Sequence, residues 1–255
     1  MGVDFQGLRR LADSPAVRRD AAAIREAHAG RRLILGVDRL DYSKGLLEKL
    51  AAIEALFERH PEHRGKVEFL QIAVPSRTDV VDYQQLKRQV DESVGRINGR
   101  FSEAGWSPVQ YCYRCFTLEE LVAHYRAADV ALVAPRRDGM NLVSKEYVAC
   151  RTGGRGVLVL SEFAGSADEL SGGALLVNPF DIQALAGAIH AGLEMPAAER
   201  LRRMRSMRAV ISNYDIHSWV AEILATVVES GRYRSARLPA AQRAIAVPTF
   251  IEAAV

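Results

Sequence analysis

The chain has 255 residues, of which 49% are hydrophobic and 25% are charged, and Lys plus Arg exceed Asp plus Glu by only 34 to 31. This composition is typical of globular proteins and excludes the disordered, collagen-like and coiled-coil classes. The sequence has no uncharged apolar run of about 18 residues and no apolar segment near its start, so we expect neither a membrane span nor secretion. Three cysteines are too few for a disulfide framework and indicate a reducing, cytoplasmic setting.

The small basic surplus does not by itself predict a nucleic-acid or membrane partner. The densest basic run lies at 200–208, where apolar residues are interleaved at helical spacing with Arg200, Arg202, Arg203, Arg205 and Arg208. This pattern favours the solvated face of an amphipathic helix, with nucleic acid or a membrane surface as the lesser alternatives. We therefore expect no nucleic-acid partner and no membrane partner.

From Arg31 onward, strand-like and helix-like segments alternate. Continuous apolar runs predict strands that are covered on both faces, at 33–37, 67–74, 109–113, 130–134, 156–160 and 174–177. Apolar residues at three- and four-residue spacing predict helices at 46–59, 80–101, 118–127, 141–151 and 182–193. This alternation predicts an α/β fold with a doubly wound, mostly parallel, Rossmann-like sheet.

The last third of the chain departs from this alternation. Helices at 197–212 and 216–230 follow one another without a strand between them, so they cannot be crossovers of the sheet. After residue 230 the periodicity fades, and Pro239 and Pro248 interrupt it. We expect one domain at 1–230, including these helices, and a flexible tail at 231–255.

Ligands of doubly wound sheets bind beyond the carboxyl ends of the strands, so the loops there are the candidate sites. The loop after the first strand carries Arg39 and Lys44 just before a helix begins. Two cations beside a helix N-terminus suit a diphosphate. The loop matches neither G-x-G-x-x-G nor the P-loop pattern, and a capped helix start with a surface ion pair is the alternative.

A second candidate loop, at 135–146, also leads from a strand into a helix. Asp138 and Gly139 suit a tight turn, after which the amides of 140–142 would point out of the helix N-terminus. Glu146 lies one helical turn farther on, where it would reach the ribose of a nucleotide bound there. An N-terminus that is only capped and hydrated is the alternative.

Three weaker signals remain. Arg77 follows the second strand, where it could meet an anion. Cys112 and Cys115 match C-x-x-C by letter, but they lie on or beside a strand without a second pair, so zinc or redox chemistry is not expected. His60 and His63 flank a proline at a helix end without further ligand candidates, so we expect no metal there either.

Four long motifs carry a family resemblance: GVDRLDYSKG at 36–45, GRINGRF at 95–101, RDGMNLVSKEYVA at 137–149 and GVLVLSEFAG at 156–165. In order and separation they resemble the trehalose-6-phosphate synthases, and the resemblance runs from about residue 31 to residue 224. It implies a GT-B glycosyltransferase with two facing Rossmann-like lobes, of which this chain is the C-terminal, donor-binding lobe. The N-terminal lobe, which supplies most acceptor contacts, is absent from this sequence, so we expect the chain alone to be inactive.

The resemblance also implies roles for individual residues. Arg39 and Lys44 would hold the donor diphosphate together with the amides of Asn141, Leu142 and Val143. The donor glucose would meet Asp138 and the backbone of Gly139 and Met140, and the resemblance makes Arg39, Lys44 and Asp138 the catalytic set. Glu146 would contact the ribose, the backbone at Cys115 and Phe116 the base, and Arg77 the phosphate of the acceptor.

The implied reaction is glucosyl transfer from UDP- or GDP-glucose to glucose 6-phosphate, giving trehalose 6-phosphate with retention of anomeric configuration. The resemblance implies no metal, no other cofactor and no enzyme nucleophile. Two alternatives stay open, namely the donor half of a glucosylglycerol-phosphate synthase and a nucleotide-sugar-binding module without catalysis. Expected partners are the two substrates, a complementary N-terminal half and a second copy of the chain.

Overall fold

One six-stranded parallel sheet forms the centre of the molecule, in the order β3-β2-β1-β4-β5-β6. The computed structural model describes the backbone of residues 2–237 and the side chains of residues 2–229. The strands are β1 (Arg32–Arg39), β2 (Val67–Val74), β3 (Val109–Cys112), β4 (Val130–Val133), β5 (Val157–Ser161) and β6 (Leu175–Val177). This doubly wound parallel order confirms the predicted fold class.

Ten α-helices surround the sheet within the described residues. They are α1 (Phe5–Asp13), α2 (Pro15–Ala27), α3 (Leu46–Arg59), α4 (Val81–Phe101), α5 (Leu118–Ala127), α6 (Leu142–Cys150), α7 (Ala167–Leu170), α8 (Ile182–Glu194), α9 (Ala197–Asn213) and α10 (Ile216–Arg237). Short 3-10 turns occupy Tyr42–Lys44 and Pro61–His63. Within residues 2–237, no helix combines the length and the apolar character needed to cross a membrane.

Three helices, α1, α2 and α7, were not predicted. The sequence pattern predicts helices only after Arg31 and none between the fifth and sixth strands. Asp4 caps α1 by accepting a hydrogen bond from the Gly7 amide at 2.7 Å. Ser14 caps α2, and Pro15 occupies the first helical position, where a missing amide proton costs nothing. The third is the single turn α7.

At the other end of the chain, α10 continues to Arg237 and so includes the first residues of the predicted tail. Residues 238–255 of that tail lie outside the described residues.

The core has one layer on each face of the sheet. Side chains alternate along β1, so that Leu33 and Leu35 join the cluster under α1, α2, α5, α6 and α9, while Ile34 joins the cluster under α3, α4 and α8. This covering of both faces explains why the strands read as continuous apolar runs.

The centre of the sheet is a narrow seam. β1 pairs with β2 over eight residues, but with β4 only where Ile34 faces Val130 and Leu35 faces Ala131. The paired register of β1 and β4 ends there, although both strands run on towards their carboxyl ends. The strand order reverses at this seam, so the loops that follow β1 and β4 flank the switch point at which such sheets bind ligands.

Candidate functional site

The loop after β1 is shaped by Asp41 and Gly45. Asp41 caps the turn at 42–44 by accepting hydrogen bonds from the Ser43 amide at 2.9 Å and the Ser43 hydroxyl at 2.7 Å. Gly45 has φ of 66°, and a Cβ there would lie 2.2 Å from the carbonyl oxygen of Ala134. Only glycine fits such a contact, which lets α3 begin against the carboxyl end of β4.

The loop after β4 is bonded directly to the loop after β1. The Ser43 carbonyl accepts hydrogen bonds from the amides of Arg136 at 2.8 Å and Arg137 at 3.3 Å. On its other side, the Asp138 carbonyl accepts from the Gly165 amide at 2.8 Å, and a Cβ on Gly165 would lie 2.1 Å from the Gly139 carbonyl oxygen. The backbone around Asp138 is therefore held between two neighbouring loops.

Lys44 and Asp138 form an ion pair across the seam, with 2.6 Å between Nζ and Oδ2. The Asp138 carboxylate also accepts from the Met140 and Asn141 amides at 3.3 and 3.1 Å and from the Asn141 side chain at 3.1 Å. Burial alone would raise the pKa of Asp138, but the Lys44 contact and these hydrogen bonds outweigh it and lower the pKa below its ordinary value. Asp138 is therefore a carboxylate at neutral pH.

The N-terminus of α6 opens beside this pair. Asn141 caps the helix in a left-handed conformation, with φ of 55°, and its Oδ1 accepts from the Ser144 amide at 3.0 Å. The amides of 140–142 were predicted to point out of the helix N-terminus, but those of Met140 and Asn141 donate to the Asp138 carboxylate. Leu142 and Val143 begin the helix, so their amides have no carbonyl partner within it.

A pocket of about 190 Å³ joins these parts. It is lined by Val37, Asp38, Arg39, Lys44, Asp138, Met140, Asn141, Leu142 and Val143. Two cations and a helix N-terminus thus face one cavity, an arrangement that suits a phosphate or diphosphate. A larger cavity of about 630 Å³, which includes Asp129 and Thr152, lies at the amino ends of β4 and β5 and so away from these loops.

Sequence reasoning missed the buried support beneath the pocket. Lys49 on α3 is fully buried and donates to Oδ2 of Asp38 at 2.5 Å, and the Gln71 side chain donates to the same oxygen at 3.0 Å. The position of Lys49 among the apolar residues of α3 could have indicated this ion pair, because a buried lysine needs an anionic partner. The pair fixes the end of β1, where Asp38 lines the cavity.

The other predicted donor residues lie outside this pocket. The Glu146 carboxylate accepts from the Tyr125 hydroxyl at 2.9 Å; burial raises the pKa of Glu146, and this hydrogen bond offsets part of the rise. Phe116 packs against the same core cluster as Leu142 and Val143, while Cys115 is exposed. Glu146, Cys115 and Phe116 are not among the residues that line the pocket with Arg39 and Lys44.

Arg77 lies at the end of β2 and is linked to the same loop system through one tyrosine. Its guanidinium donates to the Tyr83 hydroxyl at 3.0 Å, and that hydroxyl donates to Oδ2 of Asp41 at 3.1 Å. Arg77 is exposed and has φ of 46°. It therefore flanks the loop after β1 but does not line the pocket that contains Arg39.

The C-x-x-C match gives no disulfide. The thiols of Cys112, Cys115 and Cys150 are all free, and burial raises the pKa of Cys112 and raises that of Cys150 to about 12. With their raised pKa, the thiols of Cys112 and Cys150 are poor nucleophiles and poor metal ligands at neutral pH.

The chain is similar in sequence to trehalose-6-phosphate synthases. Trehalose-6-phosphate synthase of Klebsiella pneumoniae is 44% identical over 225 residues, which are 88% of this chain and 47% of that protein. The bifunctional trehalose-6-phosphate synthase/phosphatase of Thermoproteus tenax is 42% identical over 230 residues, 90% of this chain and 31% of that protein. The chain thus spans half or less of the length of these relatives.

A solved structure of the UDP-forming α,α-trehalose-phosphate synthase of Burkholderia xenovorans, in complex with glucose-6-phosphate, matches with a TM-score of 0.85. It is 43% identical, and the match covers 88% of this chain and 49% of that one. An E. coli structure with bound UDP-2-fluoro glucose gives the same TM-score at 42% identity, covering 88% of this chain and 50% of that one. These likenesses confirm one lobe of a GT-B glycosyltransferase.

The model of glycosyltransferase family 20 matches residues 1–229, which include every loop and helix of the candidate site. With this match across nearly all of the described residues, and with the fold and the four motifs in agreement, the chain belongs to glycosyltransferase family 20.

Proposed function

We propose that this chain is the donor-binding half of a retaining trehalose-6-phosphate synthase, and that its pocket at the sheet switch point holds the diphosphate of UDP-glucose. The observation that carries the proposal is the convergence of Arg39, Lys44 and the α6 N-terminus on one cavity. The relatives named as UDP-forming synthases support uridine as the base.

The charges of the pocket suit the departure of a nucleoside diphosphate. Negative charge grows on the diphosphate as the bond to glucose breaks, and fixed cations and amides that already face it stabilise that charge without reorganisation. Arg39 and Lys44 would supply the cations, and Leu142 and Val143 the amides. With these groups in place the proposed reaction uses no metal and no enzyme nucleophile, and the leaving phosphate takes the proton of the attacking hydroxyl on the same face.

The remaining predicted residues complete the proposal. Asp138 and the backbone at Gly139 and Met140 would bind the glucose hydroxyls of the donor, and Glu146 the ribose. The backbone at Cys115 and Phe116 would hold the base.

The acceptor and the second lobe belong to the proposal as well. Arg77 would bind the phosphate of glucose 6-phosphate at the rim of the closed active site. A complementary N-terminal half would supply the rest of that acceptor site, and a second copy of the chain is the alternative partner. With its three thiols free, we propose a cytoplasmic location.

Calorimetric titration of the chain with UDP tests the pocket. Arg39→Ala and Lys44→Ala should each weaken binding by about 1.5–3 kcal/mol, or roughly 10- to 150-fold, the scale of a hydrogen bond between charged groups. Arg18→Ala and Lys66→Ala remove exposed cations elsewhere and serve as matched controls. Equal affinities in the wild type and both pocket variants would contradict the assignment.

The choice of donor and of acceptor needs further titrations. UDP-glucose should bind more tightly than GDP-glucose, and the reverse order would replace uridine by guanosine in the proposal. With the N-terminal half supplied, glucose 6-phosphate and glycerol 3-phosphate should be offered in parallel. Transfer to glycerol 3-phosphate would favour the glucosylglycerol-phosphate reaction, and binding without any transfer would favour a binding module.

A further inference from the structure

Three histidines meet on the sheet face opposite α6, where α3 packs beside α8. His60 follows the last residue of α3, His63 ends the turn at 61–63, and His190 lies on α8. The rings of His60 and His190 are stacked, with 3.7 Å between centroids and 8° between planes. Nε2 of His63 lies 2.9 Å from Nδ1 of His190.

A carboxylate completes the cluster. Oε1 of Glu62 lies 3.2 Å from Nδ1 of His60. One ligand atom from each of His60, Glu62 and His190 can be chosen so that all three lie within 4.8 Å of one another. Two imidazoles and one carboxylate, with a water as fourth ligand, form a donor set that zinc accepts in tetrahedral sites.

His63 fixes how His190 presents its ring. A metal-bound histidine usually donates its other ring N–H to a neighbouring acceptor, which sets the tautomer. Here Nδ1 of His190 faces Nε2 of His63, so the Nε2 of His190 is left for an ion. In this tautomer the Nδ1–H of His190 donates to Nε2 of the buried His63.

The stacked rings need one adjustment to share an ion. Imidazole lone pairs lie in the ring plane, so two parallel rings cannot both point at one metal until one of them turns about its Cβ–Cγ bond. The side chains of His60 and Glu62 are 22% and 56% exposed, which leaves them room to turn towards His190. His63 is 5% exposed and stays in place as the supporting group.

We propose that His60, Glu62 and His190 bind a divalent transition-metal ion of the zinc class, with His63 as the hydrogen-bonding support of His190. The ion would link the C-terminal end of α3 to α8. No metal is expected from the sequence at His60 and His63, because no further ligand lies near them in the chain. The fold supplies that ligand as His190, which is 127 residues beyond His63.

Titration of untagged, metal-free protein with ZnCl2, followed by calorimetry, tests this site. The wild type should bind one equivalent tightly, while His60→Ala, His190→Ala and Glu62→Gln should each weaken binding at least about tenfold, since each removes one ligand. His63→Gln should weaken it about 10- to 100-fold, the usual effect of removing the partner of a metal ligand. His217→Ala, in which an exposed histidine of α10 is removed, should bind like the wild type.

Thermal unfolding supplies a second readout. An ion that binds only the folded chain raises Tm, so excess ZnCl2 should raise the Tm of the wild type and of His217→Ala by more than that of Glu62→Gln. Glu62 is exposed, so its replacement keeps the fold even where a histidine variant does not. Absence of binding at 1:1 stoichiometry, or equal binding by the wild type and Glu62→Gln, would overturn the proposal. Cys115→Ser should leave binding unchanged; loss of binding in that variant would also overturn it, by assigning the ion to the exposed thiol.

Discussion

Lys44 and Asp138 meet across the sheet seam at 2.6 Å, although 94 residues separate them in the sequence. Both belong to the proposed donor site, and their opposite charges neutralise each other. A diphosphate that enters the pocket therefore competes with a carboxylate for Lys44. Apart from the Lys44 bond, the Asp138 carboxylate accepts three hydrogen bonds from Met140 and Asn141, so Lys44 is the partner that we expect to move.

Asp138→Asn should separate recognition of the nucleotide from recognition of the sugar. The change removes a negative charge beside the diphosphate, so the affinity for UDP should stay the same or rise. The affinity for UDP-glucose should fall at least about tenfold relative to UDP, because a sugar hydroxyl loses a charged acceptor. Calorimetry with both ligands measures the ratio.

The matched control for this variant is Asp20→Asn, which alters an exposed acid of α2 that does not line the pocket. It should leave the ratio of the two affinities unchanged. If Asp138→Asn weakens UDP and UDP-glucose equally, Asp138 holds the loop and does not bind the sugar.

The chain alone should form no trehalose 6-phosphate above background. Retaining transfer requires both substrates to be aligned between two closed lobes, and the chain spans about half of its solved relatives. Coupled detection of UDP release, with and without an added N-terminal half, measures this. Robust synthesis by the purified chain alone would show that one lobe suffices.

The affinity for UDP-glucose should depend on pH through Glu146. Burial raises the pKa of Glu146, so its carboxylate takes up a proton at a higher pH than an ordinary glutamate when the pH falls. The protonated group is a weaker acceptor for ribose hydroxyls, so binding should weaken as the pH falls through that raised pKa. Calorimetry of UDP-glucose at a series of pH values below neutrality measures the decline.

Glu146→Gln is the control for the same experiment, because an amide does not titrate. Its affinity should be weaker than that of the wild type at neutral pH and flat over the acidic range. A decline of the same size in Glu146→Gln would assign the dependence to another group.

Gly45→Ala should destabilise the fold by about 2–5 kcal/mol, since an alanine there meets both a left-handed backbone and the Ala134 carbonyl. Gly187→Ala on α8 is the matched control: a Cβ meets nothing within 4 Å, and alanine favours a helix by about 0.5–1 kcal/mol. Urea unfolding compares the two. An unchanged midpoint for Gly45→Ala would mean that the loop shifts without cost.

The α10 helix should be protected only in a larger assembly. Its apolar stripe is largely open in this chain, where Val220, Leu224 and Val227 are 41%, 58% and 62% exposed. Such a strip favours a partner lobe or a second copy. Hydrogen exchange over 216–228 should be fast in the dilute chain and slow once the N-terminal half is added or a dimer forms. Strong protection in a proven monomer would contradict this.

The sequence predicted the sheet well because buried parallel strands leave long apolar runs, as in β2 and β5. It also grouped Arg39 with Lys44, which line one pocket, because they are only five residues apart in the sequence. What it missed depends on contacts between distant segments: the Lys44 pairing with Asp138, the buried Lys49 beneath Asp38, and the approach of His190 to His60. The sequence predicted that the amides of Met140 and Asn141 point out of the helix N-terminus. In the structure they donate to the Asp138 carboxylate, and residue types alone do not show which way that side chain turns.

The seam between β1 and β4 also has a mechanical consequence. Because the ladder between β1 and β4 has only two residue pairs, the sheet consists of two halves, β3-β2-β1 and β4-β5-β6, that are joined by a short ladder. Arg39 stands on one half and the α6 N-terminus on the other. A diphosphate bound by both halves would therefore connect them. Nucleotide binding should then make the two halves unfold together. A ligand no larger than the pocket would thereby change the cooperativity of unfolding of the whole lobe.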